Sequence, residues 1–197
     1  FHGVGLFFGH HLFAGNRVSK SSSWAFEGFS APSIGPLART GTPWHWYADD
    51  SAAVGCGWTS PQPYSRHDVA VIDMAPGISA ARLEAMLTPR PEAVLLRAYG
   101  VGNVPSDEPG LTDVIADVLH DGVPVVIASQ CQQAEVLLGH YETGDAIARA
   151  GAIGSGDMTL EATYAKIMFL LSQGVTGADF GKWMHTSIAG EISPSSL

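Results

Sequence analysis

Three side chains stand out as able to do chemistry. Arg97 lies near the end of the short apolar run Glu92 to Tyr99, where its guanidinium could hold a carboxylate in a bidentate fork. Cys131 opens the segment Gln130-Cys131-Gln132-Gln133 that follows another apolar run, Val123 to Ser129. Lys20 sits in Gly15-Asn16-Arg17-Val18-Ser19-Lys20-Ser21, and the chain has only two other lysines, Lys166 and Lys182. Each also has an ordinary reading. Arg97 can pair with an acid of its own domain, Cys131 can be a small buried packing residue, and Lys20 can be a solvated loop lysine.

The elements that must position these residues are legible in the second half of the chain. Asp68 to Met74 has strand length and is followed by the breaker Ala75-Pro76-Gly77, and Ser79 to Leu87 then has helical spacing. Glu92 to Tyr99, a loop, and Leu111 to His120 repeat that unit. Val123 to Ser129 is a third strand, with a helix-like stretch over Thr143 to Ala150. A last helix runs from Thr159, a plausible N-cap, to Ser172, with Gly174 beyond its end. Strands alternating with helices call for a parallel sheet with helices on both faces, so a small doubly wound α/β domain is expected over residues 67–197. Ligands of such sheets bind beyond the carboxyl ends of the strands, which is where Arg97, Gly100-Val101-Gly102-Asn103 and Cys131 fall.

The first third is less regular. Val4 to Ala14 reads as two short strands broken at Gly9-His10-His11. Gly15 to Pro36 reads as loop with one helical turn, pinned to a surface by Trp24, Phe26 and Phe29. Arg39 to Arg66 is a strand-and-linker region ending in Pro61-Gln62-Pro63. Residues 1–66 are therefore expected to be the remainder of a larger N-terminal α/β domain plus a linker. Since the first residue is Phe rather than Met, at the threshold of a hairpin, a trimmed chain is the expectation.

Composition narrows the function classes. The 197 residues are 46% hydrophobic and 15% charged, which is globular rather than disordered. A net charge of −9 with ten scattered Lys and Arg speaks against nucleic acid as a partner. No apolar run approaches membrane-spanning length and no basic-then-apolar leader is visible. Cys56 and Cys131 belong to no Cys-x-x-Cys pair and read as free thiols of a reducing compartment. Of eight histidines only His10 and His11 are close, and neighbours on a strand point to opposite faces, so no metal is expected. Gly100-Val101-Gly102 is followed by Pro105 where a dinucleotide fingerprint needs its third glycine, so no nicotinamide or flavin cofactor is expected either.

Read in order, Leu12 to Lys20 (LFAGNRVSK), Phe26 to Pro32, Pro76-Gly77-Ile78-Ser79, Leu96 to Pro105 (LRAYGVGNVP), Gln130-Cys131, Tyr141-x-Thr143-Gly144 and Gly156 to Ala162 (GDMTLEA) resemble the type I, cytoplasmic-type L-asparaginase family. Phe26 to Pro32 departs from the family's spacing by one residue. The resemblance implies a two-domain subunit that hydrolyses the side-chain amide of asparagine to aspartate and ammonia without a cofactor, in a homodimer or homotetramer in the cytoplasm. It implies a catalytic role for Lys20, polarising a threonine of a Thr-Asp segment and moving its proton. The nucleophilic Thr-Gly-Gly-Thr segment is not in this sequence, and Thr40-Gly41-Thr42 is only an echo of it. Activity is therefore expected only once a missing N-terminal segment completes the site. The resemblance also implies a regulatory asparagine site at Arg97, Cys131 and Ser19, and an intersubunit contribution from Glu135. The alternative is a non-catalytic amino-acid-binding module or a degenerate homologue.

Overall fold

The computed structural model describes residues 3–47, 55–105, 107–138 and 145–194, with residue 145 described by its backbone alone. Strand β1 (Gly5–Phe8) turns back on β2 (His11–Ala14) in antiparallel register, Gly5 opposite Ala14 and Phe8 opposite His11. The two turn residues Gly9 and His10 both have positive φ, 55° and 70°, the left-handed geometry that a two-residue hairpin turn requires. The sheet is completed by β5 (Ala38–Arg39) on β2 and β6 (His45–Trp46) on β5, both antiparallel. A separate ribbon pairs β3 (Ser19–Lys20) with β4 (Phe29–Ser30), Ser19 opposite Ser30 and Lys20 opposite Phe29.

Here the aromatic-anchor expectation is corrected. Trp24 and Phe26 are both 89% exposed, so neither side chain anchors the loop joining β3 to β4. Its shape comes from polar groups instead: the Ser22 hydroxyl accepts hydrogen bonds from the backbone N–H groups of Trp24 and Ala25. Among the described residues, only Phe29 of the three aromatics packs in a ring pair, edge-on to Phe8 with centroids 5.2 Å apart.

The second half is a four-stranded parallel sheet. Strands β7 (Val69–Asp73), β8 (Ala93–Ala98), β9 (Val125–Ser129) and β10 (Ile153–Gly154) lie side by side in sequence order. Parallel neighbours need a crossover between them, supplied by α1 (Ala80–Met86), α2 (Leu111–His120) and α3 (Asp145–Arg149). These helices seal one face, where Leu83, Leu87, Leu111, Ile115, Val118 and Ile147 meet Val94, Leu96, Val125 and Ile127. After β10 the chain crosses to the other face, where α4 (Leu160–Ser172) and α5 (Gly177–His185) set Ile167, Leu170, Phe180 and Met184 against Ala93, Leu95, Val126 and Ala128. Alternate residues of β8 and β9 thus feed two cores, and each fully buried leucine contributes about 1.5–3 kcal/mol.

Both helix faces and all three anticipated strands are present. In this half two elements were not anticipated, β10 and α5. In the first third the β3–β4 ribbon stands where Gly15 to Pro36 was expected to be loop with one helical turn, and no helix forms there. The anticipated Thr143–Ala150 helix is α3, although Thr143 and the Tyr141-x-Thr143-Gly144 motif lie outside the described residues. Ser79 caps α1, accepting from the Arg82 N–H at 3.2 Å, and Thr159 caps α4, accepting from the Ala162 N–H at 3.1 Å. The linker is fastened by Trp58, whose ring lies 5.1 Å from Phe169 and 4.4 Å from Trp183. Among the described residues no helix is long and apolar enough to cross a membrane.

Candidate functional site

The parallel register sets Arg97 opposite Ala128 and Ala98 opposite Ser129, so the loops leaving β8 and β9 start at one level of the sheet. The loop leaving β10 arrives beside them, because Val136 bridges Gly156 in an antiparallel pair. Between these loops and the β3 ribbon lies a crevice of about 130 Å³, with Ser19, Lys20, Arg97, Gln130, Cys131 and Glu161 among its lining residues. Four of the five residues singled out from the sequence therefore share one cavity. Glu135 is exposed and is not one of the lining residues, although its neighbours Ala134 and Val136 are.

Each lining group is held by a short local network. Gln130 donates from its amide to the carbonyls of Met74 at 2.6 Å and Arg97 at 2.9 Å, tying together the ends of β7 and β8. The Ser129 hydroxyl donates to the Gly100 carbonyl at 2.5 Å and accepts from the Cys131 N–H at 3.0 Å, which fixes where the cysteine emerges. Cys131 is an exposed free thiol, so the buried-packing reading of it is excluded. Arg97 does pair with an acid of its own domain: Nη1 lies 2.8 Å from Oδ1 of Asp73, its partner across the β7–β8 ladder. It lines the crevice all the same, and its Nε is buried without a hydrogen-bond partner among the described residues. The two readings of Arg97 are compatible.

The opposite wall comes from the ribbon. Ser19 donates from its hydroxyl to Oε2 of Glu161 on α4 at 2.6 Å. Lys20, paired with Phe29 in the ladder, places Nζ 4.6 Å from the centre of that ring, an arrangement in which the ammonium is attracted to the aromatic face. Just upstream, Arg17 is 2% exposed and bonds the Asp157 carboxylate through both terminal nitrogens, Nη1 to Oδ1 at 3.2 Å and Nη2 to Oδ2 at 2.5 Å. Burial opposes charge on Asp157, yet the hydrogen bonds from Arg17 and Ser193 outweigh it and hold the carboxyl below its ordinary value.

The sequence did not single out Glu161, Asp157 or Arg17 as site residues. All three belong to segments quoted for the resemblance, but their partners are remote in sequence and no spacing rule reveals them. The thirteen-residue helix α4 was legible, while the direction in which its first-turn glutamate points was not. Among the described residues no cluster of His, Cys, Asp and Glu has the makings of a metal site.

Comparison with known proteins gives this arrangement its relatives. The family description "Glutaminase/Asparaginase C-terminal domain" matches residues 68–184, and "Asparaginase, N-terminal" matches residues 1–52. L-asparaginase 1 of Escherichia coli K12 is 36% identical over 191 residues, which are 97% of this chain and 56% of that protein. A human protein named 60 kDa lysophospholipase is 33% identical over 196 residues, which are 98% of this chain and 34% of that protein. The crystal structure of L-asparaginase I from Vibrio cholerae matches with a TM-score of 0.85 and 34% identity, covering 96% of this chain and 57% of that one. The chain thus spans a little over half the length of the bacterial asparaginases it matches. With a family description covering most of the chain, and with relatives of the first type carrying the same fold, the protein belongs to the type I asparaginase family.

Proposed function

We propose that these 197 residues are part of an L-asparaginase, an amidohydrolase that converts asparagine to aspartate and ammonia. The observation that carries the proposal is the packing of the Ser19-Lys20 ribbon against the crevice holding Arg97 and Cys131. In this reading a threonine outside these residues attacks the side-chain amide carbon, and ammonia leaves as the acyl-enzyme forms. Water then releases aspartate. Lys20 acts on a second threonine as proton acceptor and donor, the role for which an amine next to a hydroxyl is suited. No cofactor takes part.

The same proposal assigns the crevice to a regulatory amino acid. Arg97 supplies a cation for the ligand carboxylate and Glu161 an anion for its ammonium, with Ser19 and Cys131 beside them. It also carries the division into residues 1–66 and 67–197, supported by the change from antiparallel to parallel pairing, and a homodimer or homotetramer in the cytoplasm with Glu135 reaching a neighbouring subunit. An ammonia-release assay tests the activity. The full-length protein should turn over asparagine, and the 197-residue chain alone should not, since removing a nucleophile eliminates the covalent route. If the full-length protein binds asparagine and releases no ammonia, the binding-module alternative replaces this reading.

A further inference from the structure

The Lys20 ribbon is a slight support for a residue that must be placed to within a fraction of an ångström. Strands β3 and β4 are two residues each, among the described residues the ribbon pairs with no other strand, and most of the loop between them is exposed. The Phe8–Phe29 ring contact, the exposed Ser19–Glu161 bond and a bond of 2.9 Å from the Ser33 hydroxyl to the Asp157 carbonyl help to seat it, and its only buried ionic tie among the described residues lies three residues upstream. Arg17 is buried, and its guanidinium makes four hydrogen bonds: the two to Asp157, one from Nη1 to the Glu191 carbonyl at 2.6 Å and one from Nη2 to the Ser193 hydroxyl at 3.1 Å. Asp157 is itself held from the other side, accepting from the Ser193 N–H at 2.9 Å and the Ser193 hydroxyl at 2.6 Å. Glu191 is anchored in turn through its carboxylate by Lys166, 2.6 Å away.

The place of Asp157 matters as much as its partner. It lies in the loop between β10 and α4, flanked by Gly156 and Met158, both of which line the crevice, and it precedes the α4 cap Thr159. A buried ion pair is weak evidence for stability, since the loss of hydration on both charges offsets much of their attraction. A two-pronged guanidinium–carboxylate pair does fix relative orientation, which a packed apolar pair does less well. We infer that Arg17 is a positioning residue, whose forked pairing with Asp157 locks the Ser19-Lys20 ribbon to the crevice wall and so sets where the Lys20 amine sits. This inference rests on the amidohydrolase reading of Lys20.

The test uses the full-length enzyme with asparagine, comparing wild type, Arg17→Ala, Arg17→Lys, Asp157→Asn, Lys20→Met and a control, Leu83→Ala, which destabilises the opposite core. Rates are normalised to titrated active sites, and kcat and KM are followed across pH. Arg17→Ala should lower kcat by about 10²-fold, the scale of an ångström-sized misplacement, while KM changes by about threefold or less. Its kcat–pH profile should be displaced, because the amine now sits in a different field. Arg17→Lys, which keeps the charge and loses the fork, should fall between. Leu83→Ala should lower Tm and leave the profile of the titrated sites unchanged. Should Arg17→Ala not fold, Asp157→Asn must show the same displaced profile. A wild-type kcat and profile in Arg17→Ala, or in Asp157→Asn where the first does not fold, would overturn the inference. An inactive Lys20→Met beside an undisturbed Arg17→Ala overturns this inference alone, whereas a fully active Lys20→Met overturns the functional reading beneath it.

Discussion

The hydroxyl of Ser19 donates to the carboxylate of Glu161 at 2.6 Å, joining the residue next to Lys20 to the first turn of the helix that walls the crevice. This bond is exposed, so its net contribution is about 0.5–1.5 kcal/mol, enough to bias the ribbon and too little to hold it. An amino-acid ligand that presents its ammonium to Glu161 competes with Ser19 for the same oxygen. Ser19→Ala should therefore leave Tm within a few degrees of wild type and strengthen asparagine binding in the crevice of the full-length protein. Calorimetry with asparagine measures it, and unchanged or weaker binding would count against the competition.

Arg97 carries a second expectation. Its ion pair with Asp73 is shared with an acid whose side chain is 60% exposed, and such pairs contribute about 0–1 kcal/mol. Arg97→Ala should cost little stability while abolishing asparagine binding in the crevice. If the crevice regulates activity, the same change should turn sigmoidal kinetics hyperbolic, removing a coupling of about 1–3 kcal/mol. An unaltered affinity in Arg97→Ala would return the residue to a purely structural role.

Gly154 should be nearly irreplaceable. A Cβ there would lie 2.3 Å from the carbonyl oxygen of Val136, and that backbone is pinned by its bridge to Gly156. Because the obstruction is main chain, relief requires moving a crevice wall, and Gly154→Ala should cost about 1–3 kcal/mol, the usual scale for overpacking. A thermal melt of the variant checks this, with an unchanged Tm as the contrary result.

Acid should loosen the ribbon clamp. Asp157 and Glu191 both have carboxyls held below their ordinary values of 3.8 and 4.5. For Glu191 burial works against the charge, but backbone N–H groups of Ile188 and Ala189 and the Lys166 ammonium prevail. A carboxyl whose pKa is lower folded than unfolded binds more protons when unfolded. Its stabilisation is therefore complete above the unfolded value and is lost as pH falls through the folded one. Stability should decline as pH drops below about 4.5, and Asp157→Asn should flatten part of that decline. Denaturant melts across this range measure it, and equal acid slopes for the two proteins would contradict the assignment to Asp157.

The parallel sheet was legible because its strands are buried on both faces and so read as continuous apolar runs with breakers after them. Leu111 to His120 was legible to the residue, since its apolar positions Leu111, Ile115 and Val118 mark one face. Strand β10 has two residues, too few for any period, and α5 begins at Gly177 and contains Gly181, which mask a helix whose burial of Phe180 and Met184 is decided by the sheet. Trp24 and Phe26 misled because aromatic content was taken for burial in a loop shaped by Ser22. Arg97 and Cys131 could be brought together from strand order alone. Arg17 could not, because its partner Asp157 lies 140 residues away and only the folded chain brings them into contact.

The central claim is that Lys20 moves protons in an amidohydrolase, and the kcat of full-length Lys20→Met for asparagine, measured by ammonia release, tests it most directly. A positioned proton-transfer group typically contributes about 10²- to 10⁴-fold, so kcat should fall by that factor with circular dichroism and Tm close to wild type. Near-normal turnover in a well-folded Lys20→Met protein would contradict the claim and leave Lys20 an exposed strand lysine resting on Phe29.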